Sequence, residues 1–296
     1  MRALATLLAL LLAGPAAAQP APLCADYIPQ ARPQNTFPQD VGRSLDRIRE
    51  QGWIEIAVYE DFPPWSFEDG GAPQGIDVDL AHLIGEGLGV ETRIRMVQAG
   101  ESLDQDLLNY VYRGGAVDGH VSSLFLHAPY DPAYACRFDQ VTFTGIYAEE
   151  TLAIAYRQAD YPDKAPVPAY FRYDTVGVEN DSISDFYLTS LVGAAGDKVR
   201  RFRSSAAAME ALAAGEVMAL MGPATELEGL AAEDVLVHTP PLVGLERSAW
   251  TLGVALSSQH RPLGYEVDAI IGEAAADGRL AAIFARHGAS YRPGLR

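Results

Sequence analysis

Cysteine is nearly absent: the 296-residue chain has two, Cys24 and Cys136. Without a CxxC pair they give no support for a zinc or iron–sulfur site. Basic residues are also scarce, with 22 Lys and Arg against 39 Asp and Glu and a formal net charge of −17. Such acidity argues against nucleic acid as a partner and is compatible with a cationic ligand or a basic protein. Beyond the N-terminal run, no stretch is long and apolar enough to cross a membrane, so the protein is not expected to span one. No 20–50-residue period recurs, which excludes a solenoid.

What is present begins with an export signal. Met1-Arg2 is followed by ALATLLALLLAGPAAAQ: one basic residue, a short apolar run, and small residues before a cut after Ala18. Residues 1–18 are therefore expected to be a signal peptide sending a soluble protein to the periplasm. Ala21-Pro22-Leu23 before Cys24 lacks the small residues of a lipid-attachment site. In an oxidising compartment an even cysteine count predicts one Cys24–Cys136 disulfide, with two separate buried thiols as the competing reading. At 49% hydrophobic residues, the chain can bury a good core and form two domains.

The chain is organised around WIEIAVYEDFPPWSFEDGGAPQGIDVDLAHLIGEGLGV, from Trp53 to Val90. Ile54, Ile56 and Val58 alternate with Glu55 and Ala57 as in a strand. Pro63-Pro64 stops it, because proline lacks an N–H and restricts the residue before it. Leu80, Leu83, Ile84 and Leu88 then recur at helical spacing, with Asp77 and Asp79 suiting the helix N-terminus. Phe62, Trp65 and Phe67 thus lie at the carboxyl end of a strand, where open α/β sheets bind small molecules. At least one of the three is expected only to pack the core.

Residues 25–39 read as an extended arm, followed by a short helix around Leu45 and Ile48 that stops at Gly52. A second strand over 91–97 runs parallel to the first. A helix begins near Ser102, where Gln105 completes a capping-box pattern. GGAVDGHV turns into a third strand around His120, and a loop with two prolines follows. Strands over 141–144 and 151–156 flank a crossing between domains. Later strands over 175–178, 199–202, 217–221, 235–238 and 252–256 alternate with helices. The fold class is therefore α/β with mainly parallel sheets. Asn180, Asp181, Ser182 and Ser184 are N-cap residues whose helix could offer amides to an anion, or could simply cap it.

No residues assemble into a catalytic pattern. His120 and His127 are seven apart, unlike the i, i+4 spacing of helical zinc ligands. Ser122-Ser123 lack the nucleophile-elbow context. His120 is expected to be hydrogen-bonded at the cleft edge, and His82 and His287 to lie on the surface. The acids around Glu60, Asp61, Asp69, Asp77 and Asp79 are better suited to capping and solvation than to holding a hard cation. No enzyme activity, metal or cofactor is expected.

The ordered series GIDVDLAHLIGEGLGV, GGAVDGHVSS, FTGIYAEETLAIA, TVGVENDSISDFYL, SSAAAMEALAAGEVMAL and EVDAIIGEAAADGRLAAIFARHG resembles the family 3 periplasmic solute-binding proteins. That resemblance implies a type II-like two-lobe fold with a two-stranded hinge and ligand held in the cleft. Lobe 1 would comprise 19–147 and 252–296, and lobe 2 would comprise 148–251. The implied role is the substrate-binding receptor of an ABC permease for an amino acid or other small organic solute.

Two of the family's anchors are missing. The Thr-x-x-Arg stretch that grips a ligand α-carboxylate is replaced by LFLHAPYDPAYACRF, where Arg137 is displaced. The lobe 2 aspartate that meets the ligand amine is replaced by VMALMGP, with no acid before Glu226. The segments LHAPYDPAY and Gly222-Pro223 are similar to the divergent branch associated with quinoprotein alcohol dehydrogenases, the "J" proteins of methanol oxidation systems. This narrower resemblance implies a periplasmic accessory of a dehydrogenase that uses pyrroloquinoline quinone, which is the main expectation, with the ABC receptor as the alternative. Either way, the cleft is expected to involve Phe62, Trp65, Phe67, His127, Tyr130, Tyr134, Asp181, Ser182, Gly222 and Pro223.

Overall fold

The computed structural model describes Cys24, residues 41–115 and residues 119–294. The expected signal peptide, the arm over 25–39 and Asp118 lie outside the described residues.

Helix α1 (Leu45–Gln51) starts where Ser44 Oγ accepts from the Arg47 amide and ends at Gly52, in the left-handed conformation at φ 77°. Strand β1 (Trp53–Tyr59) follows, then a hairpin of β2 (Phe67–Asp69) and β3 (Ala72–Gln74), and α2 (Ile76–Leu88). Next come β4 (Glu91–Val97), α3 (Leu103–Leu107), β5 (Leu124–Pro129) and α4 (Pro132–Ala135). The third strand is thus β5 and not the stretch around His120. Leu124, Phe125 and Leu126 are all buried. A strand covered on both faces reads as a continuous apolar run, which had looked like a loop beside its two prolines.

Strand β6 (Val141–Arg157) is one continuous element where two strands were expected. Its register with β11 (Ala249–Ser257) runs from Val141 to Thr151 with one irregularity near Gly253, so pairing bridges the supposed gap. Between them lie β7 (Val176–Glu179), α5 (Ile183–Val192), β8 (Val199–Phe202), α6 (Ser205–Ala213), β9 (Ala219–Pro223), α7 (Ala224–Leu230) and β10 (Val235–His238). The described chain closes with α8 (Arg261–Ala276) and α9 (Arg279–Arg286).

The strand order is β4-β1-β5-β11-β6-β9-β7-β8, with β10 on β6. Pairing is parallel for β4-β1-β5 and for β9-β7-β8, and antiparallel where the two long strands join in. This is a mixed α/β sheet in two lobes, with β6 and β11 running through both. Each half of the sheet is covered on both faces. In lobe 1, Ile56, Val58, Leu126, Val267 and Phe284 pack on one side, and Ala57, Phe125, Val97 and Leu107 on the other. Along β6, Leu152, Ile154 and Tyr156 enter one lobe 2 core while Ala153 and Ala155 enter another, as strand alternation requires. A Cys24–Cys136 disulfide is present, with Cα atoms 5.5 Å apart.

This topology points the carboxyl ends of both parallel sets toward the cleft. From lobe 1 come the turn after β1 and the end of β5. From lobe 2 come Glu179, the Ser204-Ser205 turn, and the Pro223–Glu226 stretch.

Candidate functional site

The turn after β1 is built on α2. Phe62 and Ser66 exchange backbone hydrogen bonds of 2.8 and 2.9 Å across the Pro63-Pro64 bend. The Pro64 and Trp65 carbonyls accept from the Ile76 and Asp77 amides at 3.0 and 2.8 Å. Gly75 is required here: at φ 123°, a Cβ would lie 2.3 Å from the Trp65 carbonyl oxygen. The N-cap of α2 is this glycine, without a side-chain bond.

Asp77 therefore does not serve as a cap. It is fully buried, accepts the Tyr147 hydroxyl at 2.9 Å, and lies 3.1 Å from His127 Nδ1. The Tyr147 oxygen in turn accepts the His127 amide at 3.1 Å, holding that residue in the left-handed conformation at φ 61°. Burial, followed by the Asp77 charge and hydrogen bond, pushes the Tyr147 hydroxyl well above its ordinary range, so it stays a donor. An ionised Asp77 can only accept, which assigns the shared hydrogen to Nδ1 and leaves Nε2 as the open nitrogen of His127. The imidazole is enclosed edge-on by Phe62, Trp65 and Tyr59, at ring distances of 4.9, 4.5 and 6.4 Å.

Of the predicted aromatics, Phe62 and Trp65 meet at His127. Trp65 is 1% exposed and packs edge-on against Phe284, so it is the one that serves the core. Phe67 sits half-buried in the β2–β3 hairpin. Tyr130 and Tyr134 line a separate groove of about 460 Å³ beside Trp250, where the exposed Arg247 is paired with Asp131. The Arg247 hydrogen bond, which outweighs a small burial effect, holds the Asp131 carboxyl below the usual range.

His120 is not at the cleft edge. Its Nε2 lies 2.6 Å from Glu55 near the amino end of β1, opposite the cleft. His287 is not a free surface residue either, because it bonds Asp79 at 2.7 Å. The helical position of His82 leaves it exposed as expected.

The start of α5 is already occupied. Ser182 Oγ caps the Asp185 amide at 3.2 Å, and the Asp181 amide donates to Asp185 at 3.3 Å. Asp185 itself brings a negative charge to the helix start. Burial raises its carboxyl, but hydrogen bonds from Arg201, Thr189 and the Asp181 amide pull it below the ordinary range. Gly222 and Pro223 end β9 opposite Ala153 and Leu152.

The hinge side holds residues that the sequence reading did not single out. Glu150, on β6 opposite Trp250, is 1% exposed. Its Oε1 accepts the Thr151 and Thr225 amides at 2.9 and 3.2 Å, whereas Oε2 has no partner. Burial raises its carboxyl, and a hydrogen bond from the Thr225 side chain, the two amides and the nearby His127 oppose the rise. Glu226 is also buried, and burial, with Glu179 and Glu150 nearby, pushes its carboxyl up to about 8.

Ser205 donates its hydroxyl to Glu179 at 3.1 Å and its amide to the same oxygen at 3.0 Å, and a hydrogen bond from Ser205 opposes the rise at Glu226. The one visible sign in the sequence was an acidic residue interrupting an apolar run: Glu150 among AEETLAIAY and Glu226 within ATELEGL. Among the described residues, no group of three His, Cys, Asp or Glu side chains is arranged to hold a metal ion.

Residues 54–111 match the model for bacterial extracellular solute-binding proteins, family 3. No curated protein gives a significant match. Among solved structures, an ancestral cationic amino acid solute-binding protein (AncCDT-1) is 20% identical, with a TM-score of 0.68 over 82% of this chain and 99% of that one. An amino acid ABC transporter substrate-binding protein from Streptococcus pneumoniae bound to L-arginine is 18% identical, with a TM-score of 0.59 over 83% and 98%. The second substrate-binding domain of Lactococcus lactis GlnP, in its open conformation, is 17% identical, with a TM-score of 0.59 over 80% and 95%. The chain thus has the two-lobe α/β fold of the periplasmic solute-binding proteins, and its first strand–helix unit carries the family 3 pattern.

Proposed function

We propose that this protein is an exported, non-catalytic receptor for a small organic solute, delivering it to an ABC permease. The observation that carries this reading is the opposition of the His127 face of lobe 1 to the Glu150–Glu226 face at the hinge and lobe 2. His127 lies near the carboxyl end of β5 and Glu226 just past that of β9, Glu150 sits midway along β6, and the long strands β6 and β11 join the lobes. Such a geometry suits a ligand that draws the lobes together. The sequence of residues 1–18 supports export to the periplasm, and the solved amino acid receptors support the transport role by likeness of fold.

A thermal-shift panel of amino acids, carboxylates, polyamines and metals tests this reading. A ligand present at about a hundred times its Kd should stabilise the protein by roughly 3 kcal/mol. No shift across the panel contradicts it.

A second reading keeps the same scaffold as an accessory of a quinoprotein alcohol dehydrogenase. Its support is the sequence departure at LHAPYDPAY together with an apolar surface on lobe 2. Ile183 and Phe186 lie three residues apart on α5, 47% and 64% exposed, and Val243 is 83% exposed. Interferometry against such a dehydrogenase at low salt should show binding under this reading, and its absence removes it.

A further inference from the structure

We infer that the foot of lobe 1 carries a second binding site, separate from the solute cleft, for a small multivalent oxyanion such as a phosphate or a polycarboxylate. Its centre is Trp53, the first residue of β1 and so at the end of the sheet opposite the cleft. Two arginines stack on this indole: Arg43 Cζ lies 4.3 Å and Arg93 Cζ 4.0 Å from the ring centroid. A groove of about 660 Å³ opens beside them, lined by Arg43, Arg47, Gln51, Trp53 and His120. That volume suits a small ligand.

The local chain sets these cations in place. The His260 ring bonds the Val41 carbonyl at 2.8 Å and holds the segment that presents Arg43. Ser44 caps α1 by accepting the Arg47 amide, which puts Arg47 in the first turn. Parallel pairing aligns Trp53 with Glu91 and Glu55 with Arg93, bringing Arg93 alongside the indole. A guanidinium stacked on an indole keeps its N–H edge for an acceptor, and an oxyanion matches that edge with two parallel bonds. Arg43 has no carboxylate partner among the described residues. Arg47 and Arg93 pair with Glu50 and Glu91 at 3.5 and 3.3 Å through exposed side chains. Such pairs contribute little, so a multivalent anion displaces them at small cost. Glu55, beside the groove, is engaged by His120 and Ser122 at 2.6 and 3.0 Å.

With a formal net charge of −17, the chain as a whole repels anions. At physiological salt, charges farther than about 8 Å are largely screened, whereas an arginine–oxyanion contact is direct. Anion binding to this protein therefore requires a local cluster of cations, and this groove supplies one.

Titration calorimetry on the mature chain at pH 7.5 in 150 mM NaCl tests the site, with pyrophosphate and citrate as probes and acetate as the monovalent control. At least one probe should bind one to one with a Kd of about 1 mM or below, ten times or more tighter than acetate. Arg43→Gln combined with Arg93→Gln should weaken it tenfold or more, whereas Arg247→Gln, on the groove beside Trp250, should leave it unaltered. Circular dichroism checks that each variant folds. If the double variant does not, Arg47→Gln on the exposed helix surface decides, with a threefold or greater weakening expected and none overturning the site. No binding of either probe, binding no tighter than acetate, or unaltered binding in a folded Arg43→Gln/Arg93→Gln protein overturns the inference. Loss of binding in Arg247→Gln alone puts the anion on the cleft side and overturns it as well.

Discussion

On the lobe 1 wall, Asp77, Tyr147 and His127 satisfy one another: two carboxylate oxygens, one hydroxyl, one amide and one ring nitrogen are all used. On the hinge and lobe 2 wall, Glu150 keeps a bare oxygen, Glu226 holds a proton at neutral pH, and Thr151 has a buried hydroxyl without a partner. The first arrangement is complete without a ligand and stiffens a surface. The second is incomplete by itself. Rigid positioning and ligand demand are thus divided between the two sides of the cleft.

The largest expected effect comes from breaking the complete side. Asp77→Ala leaves a fully buried Tyr147 hydroxyl and the His127 ring without their acceptor. Chemical denaturation should show a loss of about 3–4 kcal/mol. A loss below about 1 kcal/mol would mean that the lobe 1 network is not the stiff wall described.

The incomplete side should respond in the opposite sense. The folded protein holds the Glu226 proton up to about pH 8, whereas the unfolded chain releases it near the ordinary glutamate range. The folded state then binds the extra proton, so stability falls as pH rises through that window and levels off above it. Glu226→Gln keeps a carbonyl acceptor beside Ser205 and removes the ionisation. It should flatten this decline and gain roughly 1–3 kcal/mol at pH 8.5 over wild type. An unchanged pH profile would place the proton elsewhere.

How the two sides meet can be probed behind the cleft. Gly229 on α7 faces the Pro63-Pro64 bend, and a Cβ there would lie 2.5 Å from Pro64 Cγ and 2.9 Å from the His287 carbonyl oxygen. Gly229→Ala should cost about 1–3 kcal/mol through overpacking, read as a lower thermal midpoint. The smallest effect belongs to the groove rim. Asp131→Asn loses the exposed Arg247 pair but keeps an N-cap for α4, which Asp131 now supplies to Ala133 at 2.8 Å. No measurable change in midpoint is expected, and a clear drop would show that the rim is structural.

The frame of this division was readable in the sequence, while the charges were not. Alternation in β1, the proline stop and the helical spacing of α2 are local patterns, so the cleft-building unit emerged from residues 53–90 directly. Other features depended on partners far along the chain. Asp77 looked like a helix-start residue because its partners, His127 and Tyr147, lie 50 and 70 positions away. Glu150 and Glu226 were not singled out, because the burial of Glu150 depends on the pairing of β6 with β11 and β9, and that of Glu226 on its place on α7 beside them. His120 was placed at the wrong end of the sheet because β5 begins after it. An apolar run covered on both faces gives no alternation to mark its start.

Small-angle X-ray scattering on the mature protein tests the central claim most directly. A saturating solute, taken from the strongest stabiliser in the thermal-shift panel, should contract the radius of gyration as the lobes close. A radius indifferent to every solute that stabilises the protein would contradict the account.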